Sequence, residues 1–246
     1  MRSFYKIEYK ENLLLDLHLP EEHTFDLFVY FHGGGLEKGG RGGVEVFASP
    51  LAERGIATAT VEYRMYPDAS YPDFIVDCAE SIRYLRDHIS EYGECRRIFV
   101  GGSSAGGYLS MMLCFDKRYL EAVGMKPTDI AGYIHDAGQP TSHFNVLKFS
   151  GTDSRRVIVD ETAPMYFVGM DKEYSPMLFI VSDDDMFARY EQTMLMVKTL
   201  EHFGHKDKVT LAVQNGKHCK YVYRVDEDGK SAFAKIVLPF IDSLKD

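Results

Sequence analysis

The chain has 246 residues, 45% of them hydrophobic and 26% charged, a globular composition that excludes disordered and fibrous classes. It carries 28 basic against 37 acidic residues, a net charge of −9, and so lacks the basic excess that nucleic acid or an anionic membrane would select. No apolar run approaches the roughly 18 residues of a membrane span, and the first 20 residues alternate apolar and charged positions with no signal-peptide core. The expected location is cytoplasmic. Cys78, Cys95, Cys114 and Cys219 form no CxxC pair and read as reduced thiols, not as a disulfide framework or a zinc site.

Residues 3–9 and 12–19 read as two strands, with leucines at 13, 15, 17 and 19 marking a half-buried antiparallel edge. A stronger apolar strand at 25–31 meets glycines at 33–35. Helix is expected over 44–54, closed by Gly55, and a strand over 56–63. Tyr71-Pro72 opens a long helix whose stripe is Phe74, Ile75, Cys78, Ile82, Leu85 and Ile89. A strand at 96–102, a helix at 105–115 and a strand at 129–138 follow. The stretch 139–175 keeps no single period and reads as an insertion with short helices. Strands at 176–182 and 208–214 and helices at 189–203 and 230–244 complete the pattern. Alternation of this kind predicts an α/β fold, a mostly parallel sheet of eight strands with helices on both faces, in one domain spanning 1–246.

Four segments carry chemistry. Gly102-Ser103-Ser104-Ala105-Gly106 matches G-x-S-x-G. A chain of this composition meets that pattern by chance on the order of 0.1 times, so its context matters: it lies between a strand and a helix, where a strained turn can present a serine nucleophile. The alternative is a Gly/Ser-rich helix start. His32-Gly33-Gly34-Gly35 follows the strand at 25–31 and leaves backbone N–H groups unshielded for a developing oxyanion. The alternatives there are a flexible turn or a phosphate loop, but the Lys-Ser/Thr of a phosphate loop is missing. His32 reads as a hydrogen-bonder orienting this loop, and Gly39–Gly43 as a mobile loop. Of nine histidines, His218 alone stands just past the last strand, where a catalytic base belongs in this chain order. Ser182-Asp183-Asp184-Asp185 ends the preceding strand and offers three carboxylates to orient that imidazole.

With these segments in the order serine, acid, histidine, the chain resembles the α/β-hydrolases of the esterase/lipase group, including hormone-sensitive-lipase-like and acetyl-esterase-like enzymes. The likeness covers roughly 25–245 and includes Glu62-Tyr63-Arg64-Met65-Tyr66-Pro67. It implies Ser104 as nucleophile, His218 as general base and Gly34, Gly35 and Ala105 as oxyanion donors. It matches Asp185 to the acid, with Asp184 as the alternative because Ser182 replaces the usual glycine. Ser103 stands where the group often carries Asp. The insertion at about 139–175 resembles a short cap, with Phe144, Tyr166 and Phe167 as candidate lining. The implied activity is hydrolysis of small, short-acyl esters through an acyl-enzyme, with no metal or organic cofactor. The implied partner is a small-molecule ester, with no nucleic acid and no membrane; homo-oligomerisation stays open. An amide or formamide hydrolase on the same triad and a non-catalytic binding protein are the alternatives.

Overall fold

The computed structural model describes residues 1–245. One sheet of eight strands organises them: β1 (Arg2–Lys10), β2 (Leu13–Leu19), β3 (Thr24–Phe31), β4 (Ile56–Val61), β5 (Glu94–Ser103), β6 (Gly132–Asp136), β7 (Met177–Asp184) and β8 (Val209–Lys217). Their spatial order is β1-β2-β4-β3-β5-β6-β7-β8. β2 pairs antiparallel with both neighbours, and every other pairing is parallel, so β2 alone runs against the rest. This is the mostly parallel α/β architecture expected from the alternation, and it agrees with the α/β-hydrolase fold that the resemblance implies.

Period two along β3 decides how the two faces are filled. Leu27, Val29 and Phe31 enter one core with Phe74 and Ile75 of α2 (Asp73–His88) and Leu109 of α3 (Ala105–Phe115). Phe28 and Tyr30 enter the other core, with Phe47 of α1 (Glu45–Ala52) and Phe233 and Val237 of α7 (Ala232–Ser243). These side chains are essentially inaccessible, and each contributes about 1.5–3 kcal/mol by leaving water. The stripe of α2 is buried as its spacing predicts, Phe74 through Ile89.

One difference from the sequence reading has a physical cause. β2 is no half-buried edge. It lies between β1 and β4, so Asp16 and His18 on its second face are buried too, and Asp16 takes Arg41 in a 2.5 Å ion pair. The helix over 44–54 is shorter, Glu45–Ala52. Between β6 and β7 the chain forms α5 (Phe144–Phe149) and a single 3-10 turn at Pro164–Phe167, joined by irregular backbone. A five-residue helix α4 (Arg118–Ala122) follows α3, and α6 (Arg189–His202) joins β7 to β8. Because seven strands point the same way, the C-terminal ends of β3, β5, β7 and β8 meet along one rim of the sheet, where open α/β sheets bind ligands.

Candidate active site

β5 passes into α3 through Ser104, whose backbone sits at φ 57° and ψ −112°. A non-glycine residue there costs about 1–3 kcal/mol and persists only when its surroundings hold it. Three features hold it. The Ser104 N–H donates to the Asp136 carbonyl at 2.8 Å. A Cβ on Gly102 would lie 2.4 Å from the Phe31 carbonyl oxygen, and one on Gly106 would lie 1.9 Å from it. Only hydrogen at both positions lets the turn close against β3. α3 then starts at Ala105, so the first N–H groups of the helix have no intrahelical acceptor.

The serine faces His218, which follows β8. Ser104 Oγ and His218 Nε2 are 2.8 Å apart, and His218 Nδ1 lies 2.5 Å from Asp185 Oδ1. The Asp185 side chain is fully buried. Burial alone would raise its pKa, but the hydrogen bond and charge of His218 and the N–H groups of Met186 and Ser182 outweigh it and hold the carboxyl below its ordinary range. An ionised acceptor on Nδ1 places the proton there and leaves Nε2 free to accept from Ser104.

The other two aspartates serve the loop. Asp183 accepts from the Gly216 N–H at 2.8 Å, and Asp184 pairs with Lys217 at 2.5 Å. The β7–β8 register shifts between Ser182 and Asp184, which leaves Asp183 and Asp184 exposed and brings Asp185 inward. The structure therefore brings together Ser104, His218 and Asp185, and not Asp184.

Gly34 and Gly35 line the same cleft as Ser104 and His218, about 790 Å³ in volume. Ala105, the first residue of α3, has no exposed surface and is not among the residues that line the cleft. The glycine loop is held from three sides. His32 Nδ1 lies 2.7 Å from the Gly33 carbonyl, and its ring stacks on Tyr63 at 4.4 Å. The Tyr63 hydroxyl donates to the His32 carbonyl at 2.7 Å. Asn145 of α5 donates to the Gly35 carbonyl at 2.5 Å and to Glu37 at 2.8 Å. Arg64 locks the segment after β4, which carries Tyr63, on buried Asp77 at 2.8 Å. Gly39 belongs to this architecture and not to a free loop: a Cβ there would stand 2.3 Å from His32 Nδ1, whereas Gly40 and Gly42 face open space.

Sequence reasoning missed a buried polar cluster under the turn. Ser103 Oγ donates to Asp136 Oδ2 at 2.5 Å, Tyr221 donates its hydroxyl to Asp136 Oδ1, and Tyr30 donates to Ser103 Oγ at 3.0 Å. Burial pushes the Asp136 carboxyl up to about 6, against the lowering effect of the Ser103 and Tyr221 hydrogen bonds. The signal for it in the sequence was an acidic residue at the end of a buried strand, GYIHD. Asp136 thereby joins the β5–α3 turn to the loop that carries His218, three residues before Tyr221. Cys219 Sγ lies 3.7 Å from His218 Nε2, but burial raises its pKa well above the ordinary thiol value and keeps it protonated.

Of the three proposed cap side chains, Phe144 lines the cleft. Phe167 does not: it is buried in the main core with the Arg118 guanidinium 5.4 Å from its ring centroid, and Tyr166 packs edge-on against it. The 3-10 turn carrying both residues packs on α3, and neither residue lines the cleft.

The chain is similar to known esterases. The BD-FAE family model matches residues 15–126. A probable isoprenylcysteine α-carbonyl methylesterase from rice (Oryza sativa subsp. japonica) is 31% identical over 99 residues, which is 39% of this chain and 23% of the relative. The match thus spans about a quarter of that relative's length. Probable carboxylesterase 7 from Arabidopsis thaliana is 29% identical over 266 aligned positions, covering 95% of this chain and 84% of the relative. Among solved structures, the esterase Est2 of Thermogutta terrifontis superposes with a TM-score of 0.77 over 98% of this chain and 91% of its own, at 20% identity, a likeness of fold.

Proposed function

We propose that this chain is an α/β-hydrolase of the esterase/lipase group, supported by its likeness to the BD-FAE model and to a plant carboxylesterase, and that it is a serine carboxylic-ester hydrolase acting on small, short-acyl esters. The observation that supports this most is the unbroken chain of contacts from Asp185 through His218 to Ser104. Ser104 Oγ attacks the ester carbonyl carbon while His218 Nε2 takes the hydroxyl proton. The negative charge gathers on the former carbonyl oxygen, toward which the N–H groups of Gly34, Gly35 and Ala105 are proposed to point. Collapse breaks the bond to the alcohol oxygen, which leaves with the proton held by His218. Water, deprotonated by the same imidazole, then releases the acid and restores Ser104.

A short acyl group is favoured because the cleft is walled by packed side chains, Tyr30, Ser103 and Val222, all nearly inaccessible to solvent. The segment 139–175 is read as a small fixed cap, since its one helix has six residues and offers no long amphipathic element to swing as a lid. Among the described residues no helix is long and apolar enough to cross a membrane.

A p-nitrophenyl ester series from acetate to palmitate tests the proposal. Turnover should be greatest from acetate to butyrate and decline beyond roughly eight carbons, as added methylenes meet a closed wall. Better turnover of palmitate, or a jump above the micellar concentration, would replace it with a lipase. A fluorophosphonate probe should label Ser104; absence of both labelling and turnover would leave only a binding protein on this scaffold.

A further inference from the structure

A second pocket of about 520 Å³ adjoins the cleft, and Phe144 and Met186 line both. Three arginines, Arg155, Arg156 and Arg189, line this second pocket, and among the described residues no carboxylate does. In a chain with net charge −9 that is a local reversal of sign. Arg189 is 3% exposed. Its guanidinium donates to the Ala137 carbonyl and, at 3.3 Å, to Gln139 Oε1, and it closes no ion pair among the described residues. Its acidic neighbour, Asp185, has its oxygens engaged by His218, Ser182 and Met186. The hydrogen-bond partners of this buried cation are neutral oxygens, and the one carboxylate whose charge reaches it, Asp185, is shared with His218. Arg155 is taken up by Asp153 at 2.6 Å, whereas Arg156 is exposed and closes no ion pair among the described residues. The rim carries Phe187, 91% exposed, beside Met186. The pocket thus offers an apolar wall for hydrocarbon and one arginine fork for a planar anion.

We propose that this second pocket is a subsite for a carboxylate borne at the far end of the leaving alcohol of the ester cleaved at Ser104. The assignment rests on the ester-hydrolase reading. It follows because a short acyl group leaves the alcohol as the part long enough to pass Phe144 and Met186. With Arg155 already paired, the charge on offer suits a monoanion.

The test uses ω-acetoxyalkanoates with about two to ten methylenes between ester and carboxylate, each compared with the unbranched alkyl acetate of the same length. The expected result is one chain length at which kcat/KM for the anionic ester exceeds that of its neutral partner at least tenfold. That ratio should fall at least fivefold in Arg156→Gln, chiefly through KM, and decline as salt is raised. Arg54→Gln removes a positive charge outside both pockets, where Arg54 pairs with Asp242 at 2.6 Å, and should keep the ratio. Turnover of the neutral acetates with no anionic preference at any length would overturn the subsite while leaving the esterase reading intact. So would a preference equal in wild type and Arg156→Gln, or one lost equally in Arg54→Gln. Failure to hydrolyse any acetate, neutral or anionic, would remove both readings.

Discussion

Ser103 Oγ stands 2.5 Å from Asp136 Oδ2, while the adjacent Ser104 Oγ stands 2.8 Å from His218 Nε2. Two neighbouring serines thus have opposite tasks, one tying the turn down and the other turned toward the imidazole. Ser104→Ala should lower turnover by on the order of 10⁶ with the fold retained. Ser103→Ala should keep turnover within about tenfold but cost about 1–3 kcal/mol of stability, because buried Asp136 loses a donor. Steady-state rates and urea denaturation of both variants separate the two roles; a dead Ser103→Ala with normal stability would reverse the assignment.

The three consecutive aspartates should divide sharply. Asp185→Asn should lose on the order of 10⁴ in rate, since an amide facing Nδ1 favours the wrong imidazole tautomer. Asp184→Asn breaks only an exposed pair with Lys217, a contact worth about 0–1 kcal/mol. Asp183→Asn keeps an oxygen for the Gly216 N–H. Both should stay within a few-fold of wild type in kcat/KM, and a rate collapse in Asp184→Asn would point to the wrong carboxylate.

Glycine substitutions should report close approach and not glycine content. Gly106→Ala drives a methyl to 1.9 Å from the Phe31 carbonyl, so the turn must shift, and little folded or active protein is expected. Gly40→Ala meets nothing within 4 Å and should leave both stability and kcat near wild type. Circular dichroism melts and ester turnover are sufficient to decide.

Acid should destabilise the fold before the carboxylates titrate. Burial lowers His135 and His143 from 6.5 to about 3, so both are neutral when folded. The unfolded chain takes up these two protons first, and their stability contribution, complete above about pH 6.5, is lost as pH falls toward 3. Asp136 acts the other way: raised from 3.8 to about 6, it binds its proton first in the folded state and offsets one of the two. These three groups net about one proton, or about 1.4 kcal/mol per pH unit between about pH 6 and 4, and His18 and His32, which burial also lowers, act in the same direction. Urea denaturation across that range should show stability falling with acid in wild type, and the slope should shrink in His135→Asn/His143→Asn. An unchanged slope in the double variant would reject these histidines as its source.

The sequence by itself determined what short-range sterics and periodicity encode. Alternation of strand and helix specified the layers. The glycines at 102 and 106 marked a turn that only hydrogen can close, and the glycines at 33–35 marked an unshielded backbone at a strand end. Ser104 and His218 were legible because each follows directly from such a strand end. What lay beyond the sequence depends on residues far apart in the chain. Which of three carboxylates reaches His218 is settled by the register shift between β7 and β8. Asp136, Tyr221 and Asn145 gained their places only when β6, the loop after β8 and α5 came to rest against the turn and the glycine loop. Phe167 read as cap lining from its aromatic character, yet the 3-10 turn folds it under Arg118 into the core. A local pattern states what one segment can do with its own backbone; which distant side chain meets it is decided by packing, where burial and hydrogen-bond satisfaction are resolved across the whole sheet.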